Sequence, residues 1–506
     1  AERMVSVYET LERPLVPVLT RMEMAGVKVE RAELKRSLSP WHSGALALGC
    51  MIGWGCFVLP GDFLVTAGPI GAAIGIALGG LLMLLISFSY GVMLVRFPLA
   101  GGEFVYAYFT AGPHHAYVCG WFLTLGYLTI VPLNATALAL LGKFLFPDLF
   151  AVGYLYSVAG FDVYVGEVLL ASAAIVVFGW FNYRGIRVVG QTQLLLLFVM
   201  VVAVLLVGTG SVLDPGGTLA NLRPPFSPDR SAVSGVLAMV AIAPWMLSGF
   251  DTLPQAAEEF AFSPARALRL MRVSIAIGVI LYLTVLLATS YLMPWPDLVG
   301  AHPAWATGVA TELSMGSVGV AILSLAVLAG IFTGMNGFFM AASRLMFSMG
   351  RARILPAWFG WISPTHGTPS NAILFAVVAS LLAPWFGRQA LLWVVDMSAV
   401  GIAMGFLYTC IAASSLLRAK PKLAAAWGGP GLAVMGAFVS TGFIALLCVP
   451  GTPAFMAGPS WIALAGWMTL GVVFYLMRVG SLGKMSRAEF DYLILGEGRS
   501  ATSEGP

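Results

Sequence analysis

Long apolar segments recur along the whole of this 506-residue chain, and they constrain its fold more than any other feature. A helix that crosses a bilayer needs roughly 20 mostly apolar residues. Twelve segments approach or exceed that length: 44–64, 70–95, 115–142, 164–181, 188–209, 235–257, 273–293, 317–343, 372–387, 390–417, 432–450 and 460–477. Because the connecting segments are short, the sequence predicts an all-α integral membrane protein with twelve transmembrane helices and no large soluble domain.

Composition excludes the common alternatives. Hydrophobic residues make up 59% of the chain and charged residues only 10%, with a mean hydropathy of +0.90, whereas soluble domains carry about 25% charged residues. Most of this surface therefore cannot face water, which excludes a soluble enzyme, a disordered chain and a basic nucleic-acid-binding protein. All five cysteines lie in apolar runs without paired spacing, and we expect small core residues rather than disulfides or a zinc site.

The distribution of Lys and Arg predicts the orientation in the membrane. With the N-terminus inside, the predicted inner segments carry 18 of these cations. The outer segments carry four: Lys143, Arg223, Arg230 and Arg388. Lys and Arg accumulate in cytoplasmic loops. We therefore expect both termini in the cytoplasm, which agrees with an even number of spans.

The first and sixth spans contain residues that break a helix near its middle. The first reads LGCMIGWGCFVLP over 48–60, and the sixth reads PWMLSGFDTLP over 244–254. Glycine in membrane helices often serves close packing, which is the alternative explanation. Matched breaks in spans one and six are instead typical of two inverted five-helix repeats with a binding site between half-helices. There a helix N-terminus offers N–H groups to a carboxylate, and a C-terminus offers carbonyl oxygens to a cation.

Several motifs in the correct order, over about residues 37–477, resemble those of the amino acid–polyamine–organocation superfamily of permeases. They are GWGCFVLP (53–60), PLAGGEFVYAY (98–108), EE followed by SPAR (258–266), AASR through LP (341–356) and GTPSNA (367–372). The resemblance implies the LeuT-type fold, a 5+5 inverted repeat with broken helices 1 and 6. It also implies secondary transport of amino acids or related amines.

The same resemblance implies a set of substrate-binding residues. The carboxylate-binding stretch is Ile52, Gly53, Trp54 and Gly55, and the amine-binding pair is Ser248 and Gly249. Trp245 is the aromatic lid, and Phe250 follows the amine-binding pair. Trp54 departs from the family pattern, which has a small residue between the two glycines. Its indole either narrows the site to small substrates or points away into helix packing.

Two further residues are candidates for coupling and gating. Asp251 directly follows the break in span 6, and a carboxylate near the bilayer centre costs about 2.5–3.5 kcal/mol. We expect it to titrate or to accept a cation, although capping the second half of the helix is an equally good explanation. Thr333 is the candidate for a sodium site between helices 1 and 8. Helix 5 lacks the lysine that replaces sodium in some relatives, so the coupling ion, H⁺ or Na⁺, stays open.

Other polar residues are given structural interpretations. Asn134 faces either the pocket or a neighbouring helix, and interhelical packing is the favoured interpretation. Glu103 is expected to be a solvated or paired charge rather than a gate. No metal-binding or hydrolytic motif is found. The sequence therefore predicts no cofactor, no metal site and no enzymatic activity.

The domain prediction has four parts: an N-terminal extension over 1–40, a ten-helix transport core over 41–417, two additional helices over 418–478, and a cytoplasmic tail over 479–506. Residues 8–30 separately resemble a short segment of family A DNA polymerases, but no nucleotide-binding motif follows them. We interpret this N-terminal part as a fusion artefact. The alternative is a native amphipathic helix that ends at Gly26.

Together these features predict a cation-coupled amino acid permease of the bacterial cytoplasmic membrane that works by alternating access. An amine or polyamine permease and an amino acid exchanger are the alternatives within this class. A transport-silent nutrient receptor is the alternative from another class. The expected partners are a small amino acid or amine, H⁺ or Na⁺ and the lipid bilayer, with no nucleic acid. The sequence makes no prediction of the oligomeric state.

Overall fold

The structure is a computed structural model that describes residues 38–158, 161–301, 305–387 and 389–495. The predicted N-terminal extension lies outside the described residues up to residue 37, and so does the polymerase-like segment 8–30. The predicted C-terminal tail lies outside them from residue 496 onward.

Helices make up nearly all of the fold. Up to the sixth predicted span they are α1 (Pro40–Ile52), α2 (Gly55–Val58), α3 (Pro60–Arg96), α4 (Glu103–Leu145), α5 (Pro147–Phe150), α6 (Val165–Arg184), α7 (Ile186–Leu213), α8 (Ala232–Ala241), α9 (Ala243–Met246) and α10 (Thr252–Gln255). The later helices are α11 (Pro264–Leu292), α12 (Trp295–Gly300), α13 (Ala306–Arg351), α14 (Ser370–Ser380), α15 (Gln389–Ala419), α16 (Pro421–Trp427), α17 (Gly431–Cys448), α18 (Gly458–Leu482) and α19 (Arg487–Phe490). Short 3₁₀ turns lie at Leu219–Leu222, Ala257–Glu259, Ala357–Gly360 and Ala383–Phe386, and a π turn lies at Asp491–Leu495.

Within the described residues, ten helices are long and apolar enough to cross a membrane. They coincide with ten of the twelve predicted spans. The sixth and ninth predicted spans coincide with shorter apolar helical segments, Ala232–Ala241 and Ser370–Phe386. The chain is therefore a multi-pass, α-helical membrane protein.

The second half of the first span runs further than the sequence predicted. α2 and α3 are joined through Leu59, whose N–H donates to Gly55 O and whose carbonyl accepts from Phe63 N–H. The chain turns only at Gly68, where φ is 71° and Pro69 follows. The half-helix that follows the break therefore extends from Gly55 to Ala67, and the second span begins at Pro69.

A small β-hairpin, which the sequence analysis did not predict, lies between α5 and α6. Strands β1 (Tyr154–Val158) and β2 (Phe161–Tyr164) pair antiparallel, with Ser157 opposite Asp162. Aromatic and β-branched residues dominate this segment, and such residues favour strands. Most of β1 is exposed, whereas Val163 of β2 is buried.

Two tryptophans attach α18 to α4. The indole N–H of Trp121 donates to Trp467 O at 3.2 Å, and the indole N–H of Trp467 donates to Trp121 O at 3.3 Å. The two rings stack with centroids 4.4 Å apart. This reciprocal contact ties the last span to the third.

Replacing Trp467 by leucine is expected to destabilise the protein by about 2 kcal/mol, because it removes one hydrogen bond and the ring stacking. In detergent, we expect the midpoint of thermal unfolding to fall by about 2–4 °C. Trp361→Leu is the control, since Trp361 is exposed. An equal fall in both variants would contradict an attachment through this tryptophan pair.

Candidate functional site

The first predicted helix break is present and is centred on Gly53. α1 ends at Ile52, and Gly53 has φ 46° and ψ −169°, a conformation that L side chains rarely adopt. The chain returns to helical geometry at Trp54. The first N–H groups of the following half-helix therefore have no carbonyl partner within that helix.

Neighbouring groups hold this break in place. The hydroxyl of Tyr282 on α11 donates to Ile52 O at 3.2 Å, which satisfies a carbonyl at the end of α1. On the other side, Gly330 of α13 lies so close that a Cβ atom there would be 2.5 Å from Gly53 O. The break is thus enclosed by two helices of the bundle.

The second predicted break is also present. After α9 the backbone leaves helical geometry at Leu247, and Gly249 has φ 139° before helical structure resumes at Thr252. A Cβ atom on Gly249 would lie 2.6 Å from Ala47 O and 2.7 Å from Met51 N. The break in span 6 therefore packs directly on α1, and the two breaks are neighbours.

A cavity opens between the two breaks. Its lining comes from spans 1, 3, 6, 7 and 8: Cys50, Met51, Gly53, Trp54, Gly55, Ile130, Leu133, Asn134, Trp245, Met246, Ser248, Tyr282, Gly334 and Phe338. The space open to the centre of a water-sized sphere is only about 20 Å³, which is about the room that one water molecule needs. In this conformation the side chains leave little free space between the breaks.

Five of the eight predicted substrate-binding residues line this cavity: Gly53, Trp54, Gly55, Trp245 and Ser248. Trp54 and Trp245 meet edge to face, with ring centroids 6.4 Å apart. The position of the Trp54 indole in the cavity lining favours the interpretation that it narrows the site over the alternative that it points away into helix packing.

The other three predicted residues do not line the cavity. Ile52 and Gly249 supply the backbone of the two breaks. The ring of Phe250 packs between Tyr90, at 5.4 Å, and Phe406, at 5.6 Å between centroids. Their proposed contact with substrate stays a prediction.

Asn134, for which the sequence favoured packing over a pocket, lies at the cavity. The Asn134 Nδ2 group donates to Ile130 O at 2.7 Å, while the buried Oδ1 atom has no partner and Asn134 lines the cavity. A buried polar atom without a partner is costly. The Oδ1 atom is therefore available to a group in the cavity, which an apolar helix sequence alone did not reveal.

Asp251 lies behind the cavity and is fully buried. Its Oδ1 atom accepts from Gly249 N–H at 2.6 Å, and its Oδ2 atom accepts from the Tyr127 hydroxyl at 3.2 Å. Its side chain makes no capping bond to α10. The capping alternative is therefore not observed, and the carboxylate instead stabilises the break itself.

Thr333 lies where α1 and α13 meet. Its hydroxyl lies 2.9 Å from both Gly49 O and Gly330 O, and its single proton can be donated to either carbonyl. The Thr333 carbonyl accepts from the Gln193 amide of α7 at 3.2 Å. Thr333 therefore joins three helices beside the first break.

Sequence comparison identifies the family. Residues 38–474 match the amino acid permease family. The chain belongs to this family. The resemblance to the amino acid–polyamine–organocation superfamily is thereby confirmed, while the likeness of residues 8–30 to DNA polymerases stays a prediction.

Several characterised relatives align with most of the permease. The methylthioribose transporter of Bacillus subtilis (strain 168) is 27% identical over 90% of this chain and 96% of its own length. The branched-chain amino acid permease BcaP of the same organism is 25% identical over 90% of this chain and 95% of its own length. The lysine-specific permease LysP of Lactococcus lactis subsp. cremoris (strain MG1363) is 24% identical over 71% of each chain. This permease is an amino acid transporter and not an enzyme, as the sequence predicted.

Proposed function

We propose that this permease carries a small zwitterionic amino acid by alternating access, with the substrate bound between the two helix breaks. The substrate carboxylate would bind the N–H groups from Trp54 onward, at the start of the half-helix that runs to Ala67. The amine would bind carbonyl groups around Ser248 and Gly249. The observation that carries the proposal is that residues of both breaks line one cavity.

The chemistry of the lining favours an amino acid over an amine or polyamine. None of the described residues that line the cavity is charged. A polyamine without its own carboxylate would need a carboxylate in the site, because a buried unpaired charge is strongly disfavoured. A zwitterion needs only the complementary dipoles of the two half-helices.

The contacts favour H⁺ over Na⁺ as the coupling ion. The carbonyl oxygens around Thr333 already have donors: the single hydroxyl proton is shared between Gly49 O and Gly330 O, and the neutral Gln193 amide donates to Thr333 O. Asp251 is a fully buried acid whose partners among the described residues are neutral. We propose that Asp251 takes up and releases a proton during the cycle.

Contacts at one end of span 6 support a closed inner gate. Glu259 forms a buried ion pair with Arg344 of α13, and Glu258 pairs with Arg351. Leu38 N–H donates to Glu259 O, and the Leu38 carbonyl accepts from Ala261 N–H. These contacts would have to separate when the substrate is released inward, since they join the segments that flank both broken helices.

The proposal places the chain in the bacterial cytoplasmic membrane with twelve spans and both termini inside. The transport core would comprise residues 41–417 in two inverted five-helix repeats. The two additional helices would lie over 418–478, and Trp467 attaches the second of them to the core.

Uptake into proteoliposomes tests this function. We expect purified protein to accumulate labelled small neutral amino acids when the inside is alkaline, and to exchange internal for external amino acid without a gradient. Uptake driven only by Na⁺ would contradict proton coupling. Binding without uptake or exchange would contradict transport and favour the receptor alternative.

Replacing Asp251 by asparagine is expected to reduce proton-driven uptake about tenfold, because the amide cannot take up the coupled proton. The measurement is initial uptake under an imposed pH gradient, compared between internal pH 7.5 and 6.5. Wild-type uptake should depend on the gradient, and the variant should lose that dependence. An unchanged pH dependence in the variant would contradict the coupling role of Asp251.

A further inference from the structure

Glu103 was expected to be a solvated or a paired charge, and it is fully buried beside span 6. The Oε1 atom accepts from the Tyr90 hydroxyl at 2.7 Å, and the Oε2 atom accepts from the Gln255 amide at 2.6 Å. The preceding residue, Gly102, has φ 42°, and a Cβ atom there would lie 2.7 Å from Pro254 Cβ. Glycine at this position therefore allows the start of α4 to approach the segment that follows the second break.

One tyrosine connects Glu103 to Asp251. The Tyr127 hydroxyl lies 3.4 Å from Glu103 Oε1 and 3.2 Å from Asp251 Oδ2. It also lies 3.0 Å from Asp251 O. A phenol has a single proton to donate, so it cannot fully satisfy both carboxylates when both are ionised.

Among the described residues, no cation faces Glu103 to compensate the charge of its carboxylate. The ionisable groups that face Glu103 are acids, phenols and a thiol: Tyr90, Tyr106, Cys119, Tyr127 and Asp251. When two carboxyl groups share a buried site without a cation, the state in which both are ionised is disfavoured. The arrangement therefore favours one proton held between them.

We propose that Glu103, Tyr127 and Asp251 form one proton-sharing unit, and that Glu103 is the second station of the coupled proton. In the transfer, protonated Asp251 donates to the Tyr127 oxygen while the Tyr127 hydroxyl donates its own proton to the Glu103 carboxylate. Asp251 becomes ionised, Glu103 becomes neutral and Tyr127 is regenerated. The inference rests on the proposed proton-coupled transport.

Gln255 supplies a second observation that supports this unit. The side chain is fully buried, and its Oε1 atom has no hydrogen-bond partner. With its amide as observed, Gln255 donates to an ionised Glu103. After a half-turn of the amide, Oε1 would accept the proton of a neutral Glu103. The same side chain can therefore bind both protonation states.

The position of the unit links the proton to the substrate. Asp251 accepts from Gly249 N–H within the second break. A change in its charge therefore acts directly on the backbone that we propose to bind the amine. Glu103 begins α4, directly after the loop over 97–102, which lies on the predicted cytoplasmic side. A proton that moves from Asp251 to Glu103 would thus leave the substrate region toward the inner surface.

Glu103→Gln tests the inference, since it removes the second proton site and keeps a hydrogen-bonding side chain. We expect gradient-driven accumulation to fall about tenfold, and the number of protons that enter per substrate, read from an internal pH dye, to fall with it. Exchange without a gradient should stay within about threefold of wild type. Tyr127→Phe should give the same pattern, because it removes the bridge and leaves both acids.

Asp396→Asn is the matched control. Asp396 accepts from Ser460 and lies outside the unit, so this variant should keep wild-type accumulation and proton entry.

Accumulation and proton entry at wild-type levels in Glu103→Gln, with both lost in Asp251→Asn, would overturn the role of Glu103. If the wild type itself neither accumulates nor exchanges amino acids, the proposed function fails and not merely this inference. If Glu103→Gln does not fold, Tyr127→Phe decides between these outcomes.

Discussion

Gly330→Ala is expected to reduce amino acid uptake and exchange by about 100-fold, because displacement of a binding group by about 1 Å has effects of that size. A Cβ atom on Gly330 would lie 2.5 Å from Gly53 O, 2.6 Å from Gly53 C and 2.8 Å from Trp54 N. All three are backbone atoms and cannot rotate away. Either α13 or the first break must move, and the N–H groups at the break lose their position.

Alanine normally stabilises a helix more than glycine does. A loss of activity in Gly330→Ala would therefore come from the contact with the first break and not from a weaker helix. Gly466→Ala in α18 is the matched control, since nothing lies within 4 Å of a Cβ atom there. This variant should retain wild-type uptake. The measurements are initial uptake rates and substrate protection against thermal unfolding of each purified variant. Wild-type uptake by a well-folded Gly330→Ala variant would contradict a role for the first break in binding.

The sequence predicted the helix breaks well because their cause is local. Glycine at positions 53 and 249 permits backbone angles that other residues avoid, and both residues have positive φ. Ten of the twelve spans were equally predictable, since the length of an apolar helix reflects the thickness of the bilayer. Five of the eight predicted substrate-binding residues line the cavity because they lie at these breaks.

What the sequence did not predict depends on contacts between distant segments. Glu103 follows two glycines in a segment predicted to be a loop, and the side chains that bond to its carboxylate, Tyr90 and Gln255 among them, come from other segments. Tyr282 reaches the first break from a helix 230 residues away in sequence. Asn134 gave a polar signal, but its unpartnered Oδ1 atom is visible only in three dimensions. Such long-range contacts have no periodicity that a single sequence reveals.

Trp54→Ala is expected to widen the range of transported amino acids. The Trp54 indole is buried, lines the small cavity and meets Trp245 edge to face. A hydrophobic pocket distinguishes substrates by about 10–200-fold per methylene group when it lacks room for the larger one. Removal of the indole supplies that room. We expect the kcat/KM for leucine relative to that for alanine to rise about tenfold or more.

The ratio of the two substrates, rather than either rate alone, tests this role, because a loss of packing lowers both rates together. Trp361→Ala serves as the control, since Trp361 is exposed and is not part of the cavity lining. It should leave the ratio unchanged. A Trp54→Ala variant that loses uptake of both amino acids by the same factor would mean that the indole supports helix packing and does not limit substrate size. A raised ratio would instead explain why this chain has tryptophan between the two glycines of its first break.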